Sequence, residues 1–362
     1  MTRSDLTRRI KEKARELGFD EVGIARAEAI SEGHLREWLG RQYQGEMAYI
    51  ERKLEKRLDP GKVLEGARSI VSLALGYNHP YRLPYDQPDK GVISRYAAGT
   101  DYHEVIEDKL GRLLQYIRAI EPETRGKVYV DTGPMMDKYW AQRSGLGWLG
   151  KHTNVLSRDL GSWFFIGEIL LDCDLDFDES AVDFCGSCTR CIESCPTDAI
   201  VEPYVLDSRR CISYLTIELR GDIPEAFREP MGNLIYGCDI CQDVCPWNSK
   251  APVSAESEFK PREPNQSPAL QQLARMSQSE FRESYRGSPM KRAKWKGLMR
   301  NVAVAMGNSR NPDMIPELEN LLATGDEMIQ SHAAWALRRL GTPEALQALE
   351  QHEVAASLEN CH

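Results

Sequence analysis

Seven of the ten cysteines fall in two runs, each ended by proline: Cys185-x2-Cys188-x2-Cys191-x3-Cys195-Pro196 and Cys238-x2-Cys241-x3-Cys245-Pro246. The first spacing is the bacterial ferredoxin pattern, in which three thiolates hold one cubane and the fourth crosses to a second. Thiolates two residues apart can wrap one cubane face. The fourth lies three residues on, next to a helix-stopping proline, and points away. Two [4Fe–4S] clusters need about eight thiolates. Cys211, between the runs, is the natural eighth. Structural zinc favours separated Cys-x2-Cys pairs, and disulfides need an oxidising compartment. The N-terminus, Met1-Thr-Arg-Ser-Asp-Leu-Thr-Arg-Arg-Ile, has no apolar core of a signal peptide. No apolar stretch approaches the roughly 18 residues of a membrane span, so a cytoplasmic protein with no membrane partner is expected. Cys173, ending the apolar run Ile169-Leu-Leu-Asp-Cys, reads as a small core residue, and Cys361, beside the terminus, as a bystander.

At 362 residues the chain suggests two or three domains. Residues 1–180 read as mixed α/β, an α+β or α/β arrangement with helices covering a sheet. Leu6, Ile10, Ala14 and Leu17 recur at helical spacing with Gly18 as C-cap, and Phe19 to Ala25 follows as a strand. Ser69 to Tyr77 reads as a fully buried strand, Val105 to Ile120 as a helix, Lys127 to Asp131 as a short strand, Met135 to Ser144 as a helix closed by Gly145, and Ser162 to Leu171 as a strand. No dinucleotide fingerprint or Walker A loop is present. Asp172 to Asp183 is an acidic approach to a cysteine-rich, ferredoxin-like module over 181–250, and 251–268 reads as a linker. In the tail, 269–362, Asn301-Val-Ala-Val-Ala-Met-Gly with Asn311-Pro-Asp matches His332-Ala-Ala-Trp-Ala-Leu-Arg with Thr342-Pro-Glu at an offset of 31 residues. That is the logic of HEAT-like helical pairs, and two copies are too few for a free solenoid, so they should pack on neighbouring chain.

Asp131 ends a predicted strand, where α/β sheets place ligands. A carboxylate there, covered by cofactor and substrate, would have a raised pKa and could donate a proton. It could equally cap the next turn or helix. Gly145, Gly147 and Gly150 allow close approach of a flat ligand or a tight turn. The formal charge of −9 argues against nonspecific nucleic-acid binding by the whole surface. Yet residues 284–312 contain no acid and seven bases: Arg286, Lys291, Arg292, Lys294, Lys296, Arg300 and Arg310, with Trp295 among them. A solvated face and an RNA-binding face stand side by side as readings. Trp295 could stack on a base or anchor the first repeat helix.

The ordered set Ile93-Ser-Arg-Tyr, Gly99-Thr-Asp-Tyr-His103, Val130-Asp-Thr-Gly133, Gly145-Leu-Gly-Trp-Leu-Gly-Lys151, Cys185-Gly-Ser-Cys-Thr-Arg-Cys191, Cys195-Pro-Thr-Asp-Ala-Ile200, Arg210-Cys-Ile-Ser-Tyr-Leu-Thr216 and Gly237-Cys-Asp-Ile-Cys-Gln-Asp-Val-Cys245-Pro-Trp-Asn248 resembles the epoxyqueuosine reductases over nearly the whole chain. The resemblance implies a cobalamin-dependent oxidoreductase that reduces the epoxide of epoxyqueuosine at the tRNA wobble position to queuosine. It implies cobalamin held in the N-terminal domain without a protein ligand on cobalt, fed singly with electrons by two clusters that draw on an unidentified donor. Asp131 matches the family's proton donor. Arg57, Lys138, Lys151 and Ser213 match cofactor contacts, with Lys138 where relatives carry Arg. Ser94 stands where some relatives have Cys and is not counted as a site. The implied ligand sets are Cys185, Cys188, Cys191 and Cys245 for one cluster, and Cys195, Cys211, Cys238 and Cys241 for the other. A reductive dehalogenase is the first rival, although Arg8-Arg9 is followed by no apolar export stretch. A ferredoxin-type electron carrier is the second, and it leaves the first 180 residues without purpose. Nothing resembles a coiled coil, and a monomer is expected.

Overall fold

Thr2 opens the first helix, Arg3–Glu16, by accepting the Asp5 N–H at 3.1 Å. Gly18, at φ +91°, ends it as expected of a left-handed C-terminal residue. Leu6, Ile10 and Ala14 form its buried stripe. The structure, a computed structural model, describes residues 1–31 and 33–359, with backbone alone for 353–359; Cys361 lies outside the described residues. The chain forms two units, each drawn from separated segments: 1–80, 100–208 and 240–260 in the first; 81–99, 209–239 and 261 onward in the second. The expected edges at 180, 250 and 268 do not mark these units. The stretch read as a linker carries short helical turns at Ser257–Phe259 and Glu263–Gln266, and Phe259 is buried.

In the first unit, four strands form one sheet in the order Glu21–Arg26, Ser69–Gly76, Phe164–Leu171, Gly126–Tyr129. All three pairings are antiparallel, which favours the α+β half of the reading. An antiparallel sheet has no shared carboxyl edge, so the argument that placed Asp131 at such an edge lapses. Ser69–Gly76 is buried along its whole length because strands flank it and helices cover both faces. On one face Gly167 leaves room for the helix Tyr102–Ile120: a Cβ there would lie 2.8 Å from Ile106 Cγ2. On the other, Ile70, Leu170, Met135 and Trp140 pack together beneath the helix Asp137–Arg143. Tyr102–Ile120 starts three residues earlier than the apolar pattern predicts, because Asp101 caps it.

The acidic approach is tied down rather than free. Asp172 pairs with Arg125, Asp174 with Arg68, Asp176 with Arg3 and Asp178 with Lys11, at 2.6–2.7 Å.

In the second unit, Val92–Ile93 pairs in parallel with Leu234–Tyr236. The tail folds into the helices Lys294–Ser309, Ile315–Leu322, Glu327–Leu340 and Pro343–Glu359. Their apolar faces join Ile93, Ala97, Ile217, Ile235 and Tyr236 in one core, so the repeats do pack on the neighbouring chain. The 31-residue offset reappears in three dimensions. Arg310 and Gly341 both end helices in the left-handed region, and Asn301 and His332 are both fully buried and bonded to backbone. Among the described residues, no helix is long and apolar enough to cross a membrane.

Candidate active site

The strand Gly126–Tyr129 stops two residues short of Asp131. Val130 is buried, and Asp131 then takes φ +56°, a left-handed conformation that costs a non-glycine residue about 1–3 kcal/mol. The Thr132 N–H donates to the Val130 carbonyl, so Asp131 is the central residue of a γ-turn. Gly133 completes the bend, because a Cβ there would sit 2.1 Å from the Tyr129 ring. The turn presents an exposed Asp131 side chain whose Oδ2 accepts the Tyr102 hydroxyl at 2.9 Å. The next helix, Asp137–Arg143, has no side-chain cap, so Asp131 does not serve as one.

Tyr102 is held in turn. Its ring stacks on Phe165 at 4.2 Å and 5°, and on His103 at 4.0 Å. His103 is oriented by Asp101, 1% exposed, which accepts from His103 Nδ1 at 2.7 Å and from the His103 N–H. Asp101, Tyr102 and His103 therefore form a chain behind Asp131. The motif Gly99-Thr-Asp-Tyr-His103 had supplied only a resemblance. An acid two residues before a histidine at a helix start was the available signal.

Beneath the turn lie two more carboxyls that the sequence reading did not single out. Glu168, 0% exposed, sits on the sheet opposite Ser72 and Tyr129. Burial pushes it well above the usual carboxylate range, and the neighbouring Asp137 carboxyl adds to the shift. Asp137 is pushed up to about 7 by burial and by Asp131, against the opposing pull of Arg57.

The expected cofactor contacts divide. Arg57 Nη1 donates to the Met135 carbonyl at 3.0 Å, under the Asp131–Met136 segment. Lys138 is exposed and donates to Thr153 O and Asn154 Oδ1. Lys151 is 8% exposed and clamps the Gly186 and Cys188 carbonyls at 2.6 and 3.1 Å, beside the cysteine run. Ser213 belongs to the second unit, on the helix Ile212–Ile217. A cavity of about 660 Å³ opens beside the Asp131 turn, lined by Lys53, Lys56, Lys127, Tyr129, Thr132 and Gly133 among others. The lining sets Arg52, Lys53, Lys56 and Lys127 against Glu51 and Glu55, and cobalamin presents amide groups and one phosphodiester that such mixed donors and acceptors can meet. The residues present fit such a group.

Cys185, Cys188, Cys191 and Cys245 come together in the first unit. The Cys191 thiol is pushed up to about 11, first by burial and then by the thiols of Cys245, Cys185 and Cys188. Four converging thiols, three from one run and the proline-flanked fourth from the other, suit one cubane. Trp148 stands 4.9 Å from Trp247 and 5.2 Å from Phe184, walling Cys185 and Cys245. Gly145, Gly147 and Gly150 each lie where a side chain would meet neighbouring chain. Gly145 has φ +82°, and a Cβ on Gly147 would lie 2.2 Å from the Leu156 carbonyl. Cys195 and Cys241 belong to the first unit, Cys211 and Cys238 to the second. The Cys195 sulfur accepts the Ala199 N–H at 3.2 Å. Cys173 is half-buried, its thiol raised by burial and its carbonyl bonded to Ser69 Oγ.

The basic window is not one surface. Arg300 is fully buried and donates to the Leu215, Leu219 and Gly221 carbonyls and to Asn301 Oδ1. Arg292 pairs with Glu218, Lys296 with Asp326, and Arg310 donates to the Arg339 carbonyl. Arg286, Lys291 and Lys294 are exposed. Trp295 packs on the repeat core and donates to the Met276 carbonyl at 2.7 Å, so it anchors the helix.

Three family models match the chain: Epoxyqueuosine reductase QueG, DUF1730, over residues 57–132; a 4Fe-4S double cluster binding domain over 184–248; and HEAT repeats over 296–355. An epoxyqueuosine reductase of Leadbetterella byssophila is 47% identical over 83% of this chain and 98% of its own. One from Pseudomonas aeruginosa is 42% identical over 93% and 95%. A crystal structure of epoxyqueuosine reductase with an epoxyqueuosine-modified tRNA-Tyr stem loop aligns with a TM-score of 0.90, at 32% identity over 96% of this chain and 93% of that one. With its cluster domain, its repeats and its Asp131 segment all matched in order, the chain belongs to the epoxyqueuosine reductase family.

Proposed function

We propose that this chain reduces the epoxide of epoxyqueuosine at the wobble position of a tRNA anticodon to the alkene of queuosine. Two electrons and two protons enter, both C–O bonds of the epoxide break, a C=C bond forms and the oxygen leaves as water. Bound cobalamin and two [4Fe–4S] clusters supply the low-potential electrons, one at a time, from an external donor.

The residues of the chain do the rest. Asp131 protonates the departing oxygen. Tyr102 fixes the carboxyl in the strained turn, and Asp101 and His103 hold the stacked ring. Lys138 and Arg57 hold the cofactor's acceptor groups. Lys151 orders the loop that carries Cys185, Cys188 and Cys191, three ligands of the first cluster with Cys245. The family resemblance assigns Cys195, Cys211, Cys238 and Cys241 to the second cluster and Ser213 to the cofactor. Residues 1–180 carry catalysis, 181–250 electron transfer and 269–362 RNA contacts, with exposed Arg286, Lys291 and Lys294 as phosphate contacts.

The Tyr102–Asp131 hydrogen bond, set in a left-handed turn beside a cavity of about 660 Å³, carries this reading. The test is anaerobic reconstitution with iron, sulfide and cobalamin, followed by assay on tRNA bearing epoxyqueuosine. Cobalamin-dependent conversion to queuosine is expected. A fully reconstituted protein that binds no cobalamin, or leaves the epoxide intact, would refute the proposal.

A further inference from the structure

Reduction of an epoxide to an alkene and water consumes two protons per turnover, and a carboxylic acid at the reacting oxygen carries one. A second proton has to reach Asp131, and the sheet beneath the turn holds carboxyls that the reaction so far leaves unused.

Glu168 lies on Phe164–Leu171, flanked in register by Ser72 and Tyr129. Strand alternation turns it to the face that also carries Ile70 and Leu170, under the helix Asp137–Arg143. It is fully buried, and among the described residues its polar neighbours are the Ser72 hydroxyl and the Asp137 carboxyl, with no N–H or cationic donor on either carboxyl oxygen. Asp137 is the first residue of that helix, which packs on the strand carrying Glu168; its Oδ1 is buried there, and it interacts with the charges of Glu168 and Asp131. Trp140, 1% exposed, follows one turn later. The groups facing the pair are Arg57 from the helix Leu54–Leu58, Asp131 from the turn, the Ser72 hydroxyl from the adjoining strand, and the Tyr129 phenol, itself raised by burial.

A buried carboxylate that meets only a hydroxyl and a second carboxyl is too costly to persist, so such a group keeps its proton. Two adjacent carboxyls held away from water do not both ionise, and they titrate as a unit. A purely structural position would be met as well by glutamine, which has the same shape.

We propose that buried Glu168 and half-buried Asp137 form a proton-holding pair that resupplies Asp131. The proposal rests on the reading of Asp131 as the proton donor. Asp131 gives its proton to the epoxide oxygen, takes the proton shared by the pair, and gives that proton to the same oxygen, which leaves as water. The electrons come from the one-electron donor through the clusters, and the pair regains its proton from solvent. Glu168 and Asp137 act through Asp131 and are positioning residues.

The test uses reconstituted holoenzyme with Glu168→Gln and, separately, Asp137→Asn. The parent at pH 7 should show an infrared carbonyl band of a protonated carboxyl that Glu168→Gln removes. Both variants should keep KM for tRNA, cluster and cobalamin spectra and melting temperature, while kcat falls about tenfold and its alkaline limb moves to lower pH. If Glu168→Gln does not fold, Asp137→Asn carries the same kinetic comparison. The proposal is overturned if no protonated-carboxyl band is lost, or if the pH profiles superimpose on the parent's. Full activity of Asp131→Asn would refute the donor assignment and with it the relay, whereas the infrared band would still report the pair's proton.

Discussion

The Tyr102 hydroxyl donates to Asp131 Oδ2 at 2.9 Å, across 29 residues of sequence. The bond joins the first turn of a long helix to a strained turn after an edge strand. It fixes the one exposed carboxylate of that turn in a single direction.

Asp131→Asn keeps this shape and removes the acid. Turnover should fall on the order of 10²–10⁴-fold with cluster and cobalamin spectra intact. Tyr102→Phe keeps the stack on Phe165 and removes the donor, so a smaller loss, roughly fivefold to tenfold, is expected in kcat. Full activity of Asp131→Asn in single-turnover assays would dismiss it as the donor.

Iron analysis of reconstituted parent should give about eight irons per chain. Cys211→Ala should lose or perturb one cluster, and Cys173→Ala neither. The reverse pattern in iron content and electron paramagnetic resonance would show that the eighth ligand was misassigned.

Changing Lys291, Arg292, Lys294 and Lys296 together to Ser should weaken tRNA binding. The dependence of log affinity on log salt should flatten by up to about one unit for each lost phosphate contact. Arg292 and Lys296 should contribute less than their charge suggests, since they already pair with Glu218 and Asp326. Equal affinity of parent and quadruple variant at two salt concentrations would move the RNA surface elsewhere.

Arg300→Met should destabilise the second unit by on the order of 3 kcal/mol, because three backbone carbonyls and Asn301 Oδ1 lose a buried donor. Urea unfolding measures this. A variant as stable as the parent, but with weakened tRNA binding, would restore Arg300 to the RNA face.

His332 Nε2 accepts the Ile223 N–H, so the ring is neutral and Nδ1–H donates to the Met328 carbonyl. Burial, with Arg228 and Arg300 nearby, lowers it from 6.5 to about 4. The unfolded chain binds the proton more readily, so this contribution is complete above pH 6.5 and lost as pH falls toward 4. His332→Gln should be less stable than the parent at pH 7 and less sensitive to acid over that window. Parallel stability–pH curves for the two proteins would contradict the assignment.

The sequence by itself determined what depends on local spacing. Cysteine intervals carry the double-cluster pattern, because chelation constrains neighbours along the chain. Apolar period placed Arg3–Glu16, Ser69–Gly76 and the two repeats, whose offset returns as paired left-handed ends at Arg310 and Gly341. Only the tertiary structure decided what depends on burial and distant neighbours. It made the sheet antiparallel and turned Arg300 from a surface charge into a buried donor. It set Tyr102 behind Asp131 and left Glu168 dry beneath Asp137. Desolvation and pairing depend on which side chains meet, and residues far apart in sequence meet only when the sheet and its covering helices close.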